Sequence, residues 1–221
     1  MPQKNPYKLY GLIMKFFGYN YQISRFVRQL DLDLPECKKI LDVGCGTGII
    51  GLQLLERFQD ASLVATDIRE KFLKETLNNA HEKNISSERI TLGISDVSEP
   101  DKVLFSDHKQ QYLEKESVDI VCVGGALGYS KDWKKTINTL MALVRPGGYI
   151  INLEMNPGLV GKWVSRRYHY EIVPLLSIRQ AIKEKIPKDQ IFYRPVPLRY
   201  FPINLTRKAV VIRKPEEREL A

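Results

Sequence analysis

Short apolar runs alternate with stretches of helical periodicity through the middle of this sequence. The apolar runs lie at residues 40–43, 63–65, 90–94, 118–123 and 149–153, and the helical stretches at 48–58, 69–84 and 132–144. Strands that are separated by crossover helices run parallel, with helices on both faces of the sheet, because the crossover is right-handed. The alternation therefore predicts a doubly wound α/β domain.

The two ends of the chain carry different patterns. Apolar residues at three- and four-residue steps predict a helical N-terminal cap over residues 1–34. A further helix is predicted at 177–186, and strands at 190–196 and 208–212 have too short a connection for a crossover. The last strand is therefore expected to enter the sheet antiparallel, which makes residues 35–221 one seven-stranded, mostly parallel domain.

Composition excludes several classes of protein. The chain has 221 residues, of which 43% are hydrophobic and 27% charged, so a packed core is expected and a disordered chain or a coiled coil is not. The cysteines Cys37, Cys45 and Cys122 are odd in number and far apart, which argues against a disulfide framework or a metal site. No apolar run is long enough to span a bilayer. We expect a soluble cytoplasmic protein, with peripheral membrane contact left open.

The net charge of +8 raises the question of a nucleic-acid partner. The basic residues are scattered in doublets such as Lys38-Lys39, Lys134-Lys135 and Arg166-Arg167, with no run of five like charges. This pattern is typical of solvated surfaces. Nucleic acid is therefore not favoured as a partner, although it stays open, and the oligomeric state is not indicated.

A glycine-rich segment follows the first predicted strand. In Asp42-Val43-Gly44-Cys45-Gly46-Thr47-Gly48 an apolar strand runs into glycines at alternate positions and then into a helix. Glycine is needed where the backbone turns in a way that a side chain would block, and where a ligand approaches the main chain closely. The segment predicts a ligand site at the carboxyl edge of the sheet.

The same letters contain Gly46-x-Gly48-x-x-Gly51, the dinucleotide fingerprint. In that pattern the first glycine follows the strand directly, whereas here the turn has already opened at Gly44. Asp42 would also repel a pyrophosphate. A cationic ligand fits better, and an NAD(P)-dependent oxidoreductase stays an alternative.

Two carboxylates close the next strands. Asp67 ends the second strand, at about the spacing from the glycine turn at which an acidic side chain accepts both hydroxyls of a ribose. Asp96 ends the third strand and can accept a hydrogen bond from an exocyclic amine such as that of adenine. The alternatives are a helix cap for Asp67 and a turn residue for Asp96.

On these residues the chain resembles the class I S-adenosylmethionine-dependent methyltransferases. The similarity covers about two thirds of the chain and implies a Rossmann-like fold and the cofactor S-adenosyl-L-methionine. The similar segments are the motif Asp42-x-Gly44-x-Gly46-x-Gly48, the strand ends Asp67 and Asp96, residues 118–125, Arg145-Pro146-Gly147-Gly148 and the reversed final strand at 210–215.

The resemblance also implies how the cofactor is held. Gly44 to Gly46 would back the methionine part, Asp67 would hold the ribose, Ile68 would pack on adenine, and Asp96 with Val97 would meet the adenine edge. The full set of expected cofactor-binding residues is Asp42, Gly44, Cys45, Gly46, Asp67, Ile68, Asp96, Val97 and Gly124.

The methyl acceptor is less constrained. The fourth strand is followed by Gly124-Gly125-Ala126-Leu127 and not by the Asp/Asn-Pro-Pro-Tyr/Phe sequence of the family's base-amine methylases. The helical cap and a substrate-covering insert at 155–174 resemble small-molecule members, including quinone, sterol and lipid methyltransferases. Methyl transfer to a small, apolar acceptor is therefore expected, with an RNA methyltransferase as the alternative.

Three residues are candidates for catalysis. Tyr129 and Glu154 lie beyond the carboxyl ends of the fourth and fifth strands, and His169 lies in the insert. A general base is needed only if the acceptor carries a proton that must leave. The alternatives are a surface or packing role for His169 and a cap for Glu154, so the base and the acceptor atom stay open.

Overall fold

The computed structural model describes residues 18–105, 108–182, 186 and 190–216. They form one nine-stranded sheet of order β5-β4-β3-β2-β1-β6-β7-β9-β8. The strands are β1 (Lys39–Val43), β2 (Ser62–Asp67), β3 (Ile90–Ile94), β4 (Lys102–Phe105), β5 (Gln110–Tyr112), β6 (Val118–Val123), β7 (Val144–Met155), β8 (Ile191–Arg194) and β9 (Arg207–Arg213).

The central strands run as the sequence predicts. β3, β2, β1, β6 and β7 pair in parallel, and β9 pairs antiparallel with both β7 and β8. The α/β, mostly parallel, Rossmann-like fold with a reversed last strand is therefore confirmed. The carboxyl ends of β1, β2, β3, β6 and β7 meet at one edge of the sheet, which is where ligands bind in folds of this kind.

The predicted number of seven strands is wrong, because β4 and β5 extend the sheet beyond β3. β4 has four residues and pairs antiparallel with β3. β5 is Gln-Gln-Tyr, and all three of its residues are exposed. An edge strand that is short and polar leaves no apolar run, so the hydrophobic pattern has no signal for it.

The helices are α1 (Tyr19–Arg28), α2 (Ile49–Arg57), α3 (Glu70–Glu82), α4 (Trp133–Leu143), α5 (Leu159–Tyr168), α6 (Leu175–Ile182) and α7 (Ile203–Thr206). The predicted helices at 48–58, 69–84 and 132–144 correspond to α2, α3 and α4, each within two residues at either end. α5 was not predicted, and it lies in the segment expected only to cover the site. α6 begins two residues before its predicted start.

Both faces of the sheet are covered. Alternate residues of a strand point to opposite faces, so Ile40 packs in a core with α1, α2 and α3, while its neighbour Leu41 packs in a second core with α4 and α6. Ile120 and Val121 on β6 divide in the same way. This division explains why the buried strands read as continuous apolar runs.

The predicted cap is described only in part. Residues 1–17 lie outside the described residues, and α1 places Phe26 and Val27 in the core beside α2. The division into cap, domain and insert stays a prediction. Among the helices that the structure describes, none is both long enough and apolar enough to cross a membrane.

Candidate functional site

The glycine turn joins β1 to α2 in left-handed backbone conformations. Gly44, Gly46 and Gly48 have φ angles of 63°, 55° and 76°, which glycine adopts without steric cost. A Cβ on Gly44 would lie 2.5 Å from the Cβ of Ala126, whereas no described atom lies within 4 Å of a Cβ built on Gly46. The turn therefore packs tightly on one side and opens into free space on the other.

Asp67 ties this turn to the next helix. Its Oδ2 accepts a hydrogen bond from the Gly46 amide at 3.0 Å, and its Oδ1 accepts one from the Arg69 amide at 2.9 Å. The second bond holds the residue that directly precedes α3, but it does not cap an amide inside the helix, whose N-cap residue is Arg69. Each carboxylate oxygen has two acceptor positions, so both oxygens keep capacity for a ligand hydroxyl.

A cavity of about 830 Å³ opens above the carboxyl edge of the sheet. Most of the residues expected to bind the cofactor line it, together with two of the catalytic candidates. These residues are Gly44, Gly46, Asp67, Ile68, Asp96, Val97, Gly124, Tyr129 and His169. The structure therefore brings the turn, both strand-end carboxylates and the insert to one cavity.

Sequence reasoning missed other residues of the cavity wall. They are Arg69, Phe72, Ser95, Gly125, Ala126 and Arg167. The guanidinium of Arg69 lies 4.2 Å from the centroid of the Phe72 ring, so the first turn of α3 forms a flat side of the cavity. The position of Arg69 and Phe72 shortly after Asp67 was the available signal for these two residues, but Phe72 fits the apolar stripe of α3 equally well.

Asp42 and Cys45 lie behind the turn and do not line the cavity. Asp42 is 1% exposed, and its Oδ2 accepts a hydrogen bond from the Gly51 amide at 2.9 Å. The Cys45 Sγ lies 3.6 Å from the Thr76 Oγ1. Both side chains hold the turn in place from below, and their predicted contact with the cofactor stays a prediction.

Burial changes the ionisation of Asp42. It raises the pKa of the carboxyl to about 7, although the hydrogen bond from Gly51 favours the ionised form. The nearby carboxylate of Asp67 raises this pKa further. The glycine turn is therefore underlain by an acid that takes up or releases a proton near neutral pH.

Asp42→Asn is expected to flatten the pH dependence of stability. The folded pKa of Asp42 lies above the ordinary value of 3.8, so the folded state holds the proton more tightly. Its contribution is present at acidic pH and is lost as pH rises through 7, at up to about 1.4 kcal/mol per pH unit. Asparagine is neutral throughout and keeps an oxygen for the Gly51 amide. Urea unfolding at pH 5, 6, 7 and 8 measures the difference.

The exposed carboxylate of Asp60 provides the matched control. Asp60→Asn should keep the decline in stability that the unchanged protein has between pH 5 and pH 8. An equal decline in Asp42→Asn would assign the effect to another group and contradict the prediction.

Tyr129 and His169 line the same cavity as the glycine turn. His169 follows α5 in a left-handed conformation with φ 52°, which directs the chain back towards β7. The ring of Tyr129 packs edge to face on Tyr170, with centroids 5.0 Å apart. Burial raises the pKa of the Tyr129 hydroxyl, so this group stays protonated at neutral pH and can donate a hydrogen bond.

Glu154 is fully buried and does not line the main cavity. Its Oε1 accepts hydrogen bonds from the Met155 amide at 3.0 Å and from the hydroxyl of Tyr170. Burial raises the pKa of the Glu154 carboxyl, while the bond from Tyr170 opposes the change. Its role as a catalytic base stays a prediction, and the structure places it as a support for Tyr170.

A family model described as "Methyltransferase domain" matches residues 41–150, which span the glycine turn, Asp67, Asp96 and the start of β7. Among curated proteins, a demethylmenaquinone methyltransferase of Leptospira interrogans is 24% identical over 158 residues. That match covers 70% of this chain and 58% of the relative, so the chain spans less than two thirds of that relative's length.

Solved structures share the fold. An O-methyltransferase family protein from Burkholderia thailandensis matches with a TM-score of 0.69 at 14% identity, over 91% of this chain and 57% of that one. Phosphoethanolamine N-methyltransferase 2 from Haemonchus contortus, in complex with S-adenosyl-L-methionine, matches with a TM-score of 0.64 at 15% identity, over 90% and 53% of the two chains.

Proposed function

The chain belongs to the class I S-adenosylmethionine-dependent methyltransferases, and from this we propose that it transfers a methyl group from S-adenosylmethionine to a small, apolar, quinone-like or lipid-like acceptor. The observation that carries the proposal is the meeting of the open glycine turn, Asp67 and Asp96 in one cavity that is also lined by Tyr129 and His169.

The cavity fits the cofactor in three respects. Gly46 leaves open space beside the turn for the methionine portion. Asp67 offers two carboxylate oxygens to a ribose, and Asp96 offers an acceptor to an exocyclic amine. The side chain of Ile68 is 62% exposed at the cavity wall, an unusual state for an apolar residue that a flat purine ring would cover.

The bound cofactor supplies a methyl group on a positively charged sulfur, which is a good leaving group. The chain's own task is to hold donor and acceptor in line, an effect worth about 7 to 11 kcal/mol in well-oriented reactions. The turn and Asp67 fix the donor side. The aromatic wall formed by Tyr129 and Tyr168 limits water on the acceptor side.

His169 is our candidate for the proton acceptor. It lies at the cavity wall beside Tyr168, where a hydroxyl, amine or acidic carbon of the substrate would meet it. A ring nitrogen of histidine can accept a proton from such a group. Neither Glu154 nor Asp42 is equally placed, because both are buried behind other groups.

The apolar acceptor is proposed from the wall and from the relatives. The rings of Tyr129, Tyr168 and Phe72 line the cavity. Aromatic side chains of this kind line sites for planar organic ligands. The Leptospira relative is a demethylmenaquinone methyltransferase, which is consistent with a quinone-like acceptor.

Isothermal titration of the purified chain with S-adenosylmethionine, S-adenosylhomocysteine and NAD tests the proposal. We expect saturable one-to-one binding of both sulfur nucleosides and no binding of NAD. Because Asp42 lies under the turn with a pKa near 7, the measured heat of binding of the cationic cofactor should vary with the ionisation enthalpy of the buffer. Binding of NAD alone would instead support an oxidoreductase and overturn the proposal.

A further inference from the structure

A smaller cavity of about 240 Å³ adjoins the main one. The two share Gly125, Tyr129 and Tyr168 in their walls, and we call the smaller one the side chamber. Its far end is formed by Tyr19, Tyr170 and Arg207. Arg207 was not predicted to belong to the site. The side chamber thus extends the acceptor side of the main cavity towards a cation.

The guanidinium of Arg207 is held by a directed chain of hydrogen bonds. Thr206 Oγ1 donates to the carbonyl oxygen of Ile203 at 3.3 Å, so it accepts from the Tyr19 hydroxyl at 3.0 Å. The Tyr19 oxygen in turn accepts a bond from Arg207 Nε at 2.9 Å. Each hydrogen bond in this series has a defined donor and acceptor, which fixes the plane and direction of the guanidinium.

The other end of the same guanidinium has no partner. Arg207 Nη1 is buried and makes no hydrogen bond within the part of the chain that the structure describes. A Cβ on Gly125 would collide with this nitrogen, so Nη1 lies against the glycine that borders both cavities. A buried donor without an acceptor is destabilising, which favours a ligand atom at that position.

The charge of Arg207 is also unpaired. Among residues 18–105, 108–182, 186 and 190–216, no carboxylate lies within 4 Å of its guanidinium. Glu154 is the nearby acid, but its Oε1 is occupied by Tyr170 and by the Met155 amide. A buried cation is normally retained together with an anion. The side chamber therefore offers a guanidinium with no direct ion pair and with one N–H group that has no acceptor, while Glu154 acts on its charge only at longer range.

We propose that the side chamber is an anion subsite for the methyl acceptor, in which Arg207 binds the carboxylate or the ionised hydroxyl of a planar aromatic substrate. This inference rests on the proposed function and narrows its substrate class from apolar to aromatic and anionic. The ring of such a substrate would lie against Tyr129 and Tyr168, and its reacting atom would point into the main cavity. Arg207 thereby selects and orients the acceptor without taking part in the transfer.

A pair of matched ligands tests the inference on the unchanged protein. In the presence of saturating S-adenosylhomocysteine, 2-naphthoate and 2-naphthamide present the same ring with and without a charge. We expect 2-naphthoate to bind at least about 10-fold more tightly than 2-naphthamide, because its carboxylate can form a charge-assisted hydrogen bond with Arg207. Equal affinities, or tighter binding of the amide, would overturn the inference for carboxylates.

A second probe separates the two kinds of anion. 2,4-Dinitrophenol ionises at its ring hydroxyl, and the absorbance of its phenolate reports the ionised form directly. Tighter binding of 2-naphthoate than of the phenolate assigns the subsite to carboxylates, and the reverse order assigns it to ionised hydroxyls. If neither anion binds more tightly than 2-naphthamide, the subsite is absent.

Arg207→Met locates the effect, with Lys208→Met as the matched control. Lys208 is the next residue on β9, so its side chain points to the opposite face of the sheet and its replacement removes the same net charge. We expect Arg207→Met to lose the preference for 2-naphthoate and Lys208→Met to keep it. A preference that survives in Arg207→Met would overturn the inference.

The cofactor titration keeps the two proposals distinct. If the unchanged protein binds no S-adenosylmethionine, the proposed function fails whatever the naphthalene ligands do. If it binds the cofactor and binds neither 2-naphthoate nor the phenolate more tightly than 2-naphthamide, only the anion subsite fails. Should Arg207→Met not fold, which loss of cofactor binding would reveal, the ligand pair on the unchanged protein still decides.

Discussion

Asp67→Ala is expected to weaken the binding of S-adenosylmethionine by about 1 to 3 kcal/mol, or roughly 5- to 150-fold in Kd. The carboxylate is placed to accept the hydroxyls of the ribose, and charge-assisted hydrogen bonds of that kind are among the stronger polar contacts in proteins. The substitution also removes the acceptor that holds the Gly46 amide at 3.0 Å and the Arg69 amide at 2.9 Å. Titration calorimetry measures the effect.

Asp67→Asn separates the two contributions. The amide keeps one oxygen acceptor and loses both the charge and the second acceptor, so its affinity should lie between those of the unchanged protein and Asp67→Ala. Thermal unfolding without ligand reports how far each variant loosens the turn. An unchanged affinity in Asp67→Ala would remove Asp67 from the cofactor site.

Much of the site could be predicted because it follows from the carboxyl ends of parallel strands. Gly44, Asp67 and Asp96 each stand at the end of an apolar run, and topology alone brings such ends to one edge. Asp42 comes two residues before Gly44 on β1, where the side chain points to the face that Gly51 covers. The direction of a side chain depends on the pleat of the strand and on how the turn leaves the strand, and the sequence pattern predicts neither.

Arg207 shows what the sequence could not supply. It stands among basic and apolar residues at the start of β9, with nothing local to mark it. The antiparallel register that pairs it with Met155 places it beside residues from β7 and α5. Tyr19, from the opposite end of the chain, then orients it. Contacts between such distant segments depend on the register and on packing, which the periodicity of each segment does not determine.

Gly44→Ala is expected to lower the free energy of unfolding by about 2 to 4 kcal/mol, through two separate causes. Alanine at φ 63° costs about 1 kcal/mol in backbone strain. Its Cβ would also lie 2.5 Å from the Cβ of Ala126, a group fixed close to the backbone that cannot turn away. Urea unfolding measures the loss.

Gly46→Ala is the matched variant, because its φ of 55° imposes the same backbone strain while no described atom lies within 4 Å of the new Cβ. It should lose only about 1 kcal/mol of stability and weaken cofactor binding instead, since its methyl group points into the open side of the turn. The double variant Gly44→Ala/Ala126→Gly removes the colliding atom and should recover the steric part of the loss. If the double variant is no more stable than Gly44→Ala, the close approach of the glycine turn to the segment after β6 does not explain why position 44 requires glycine.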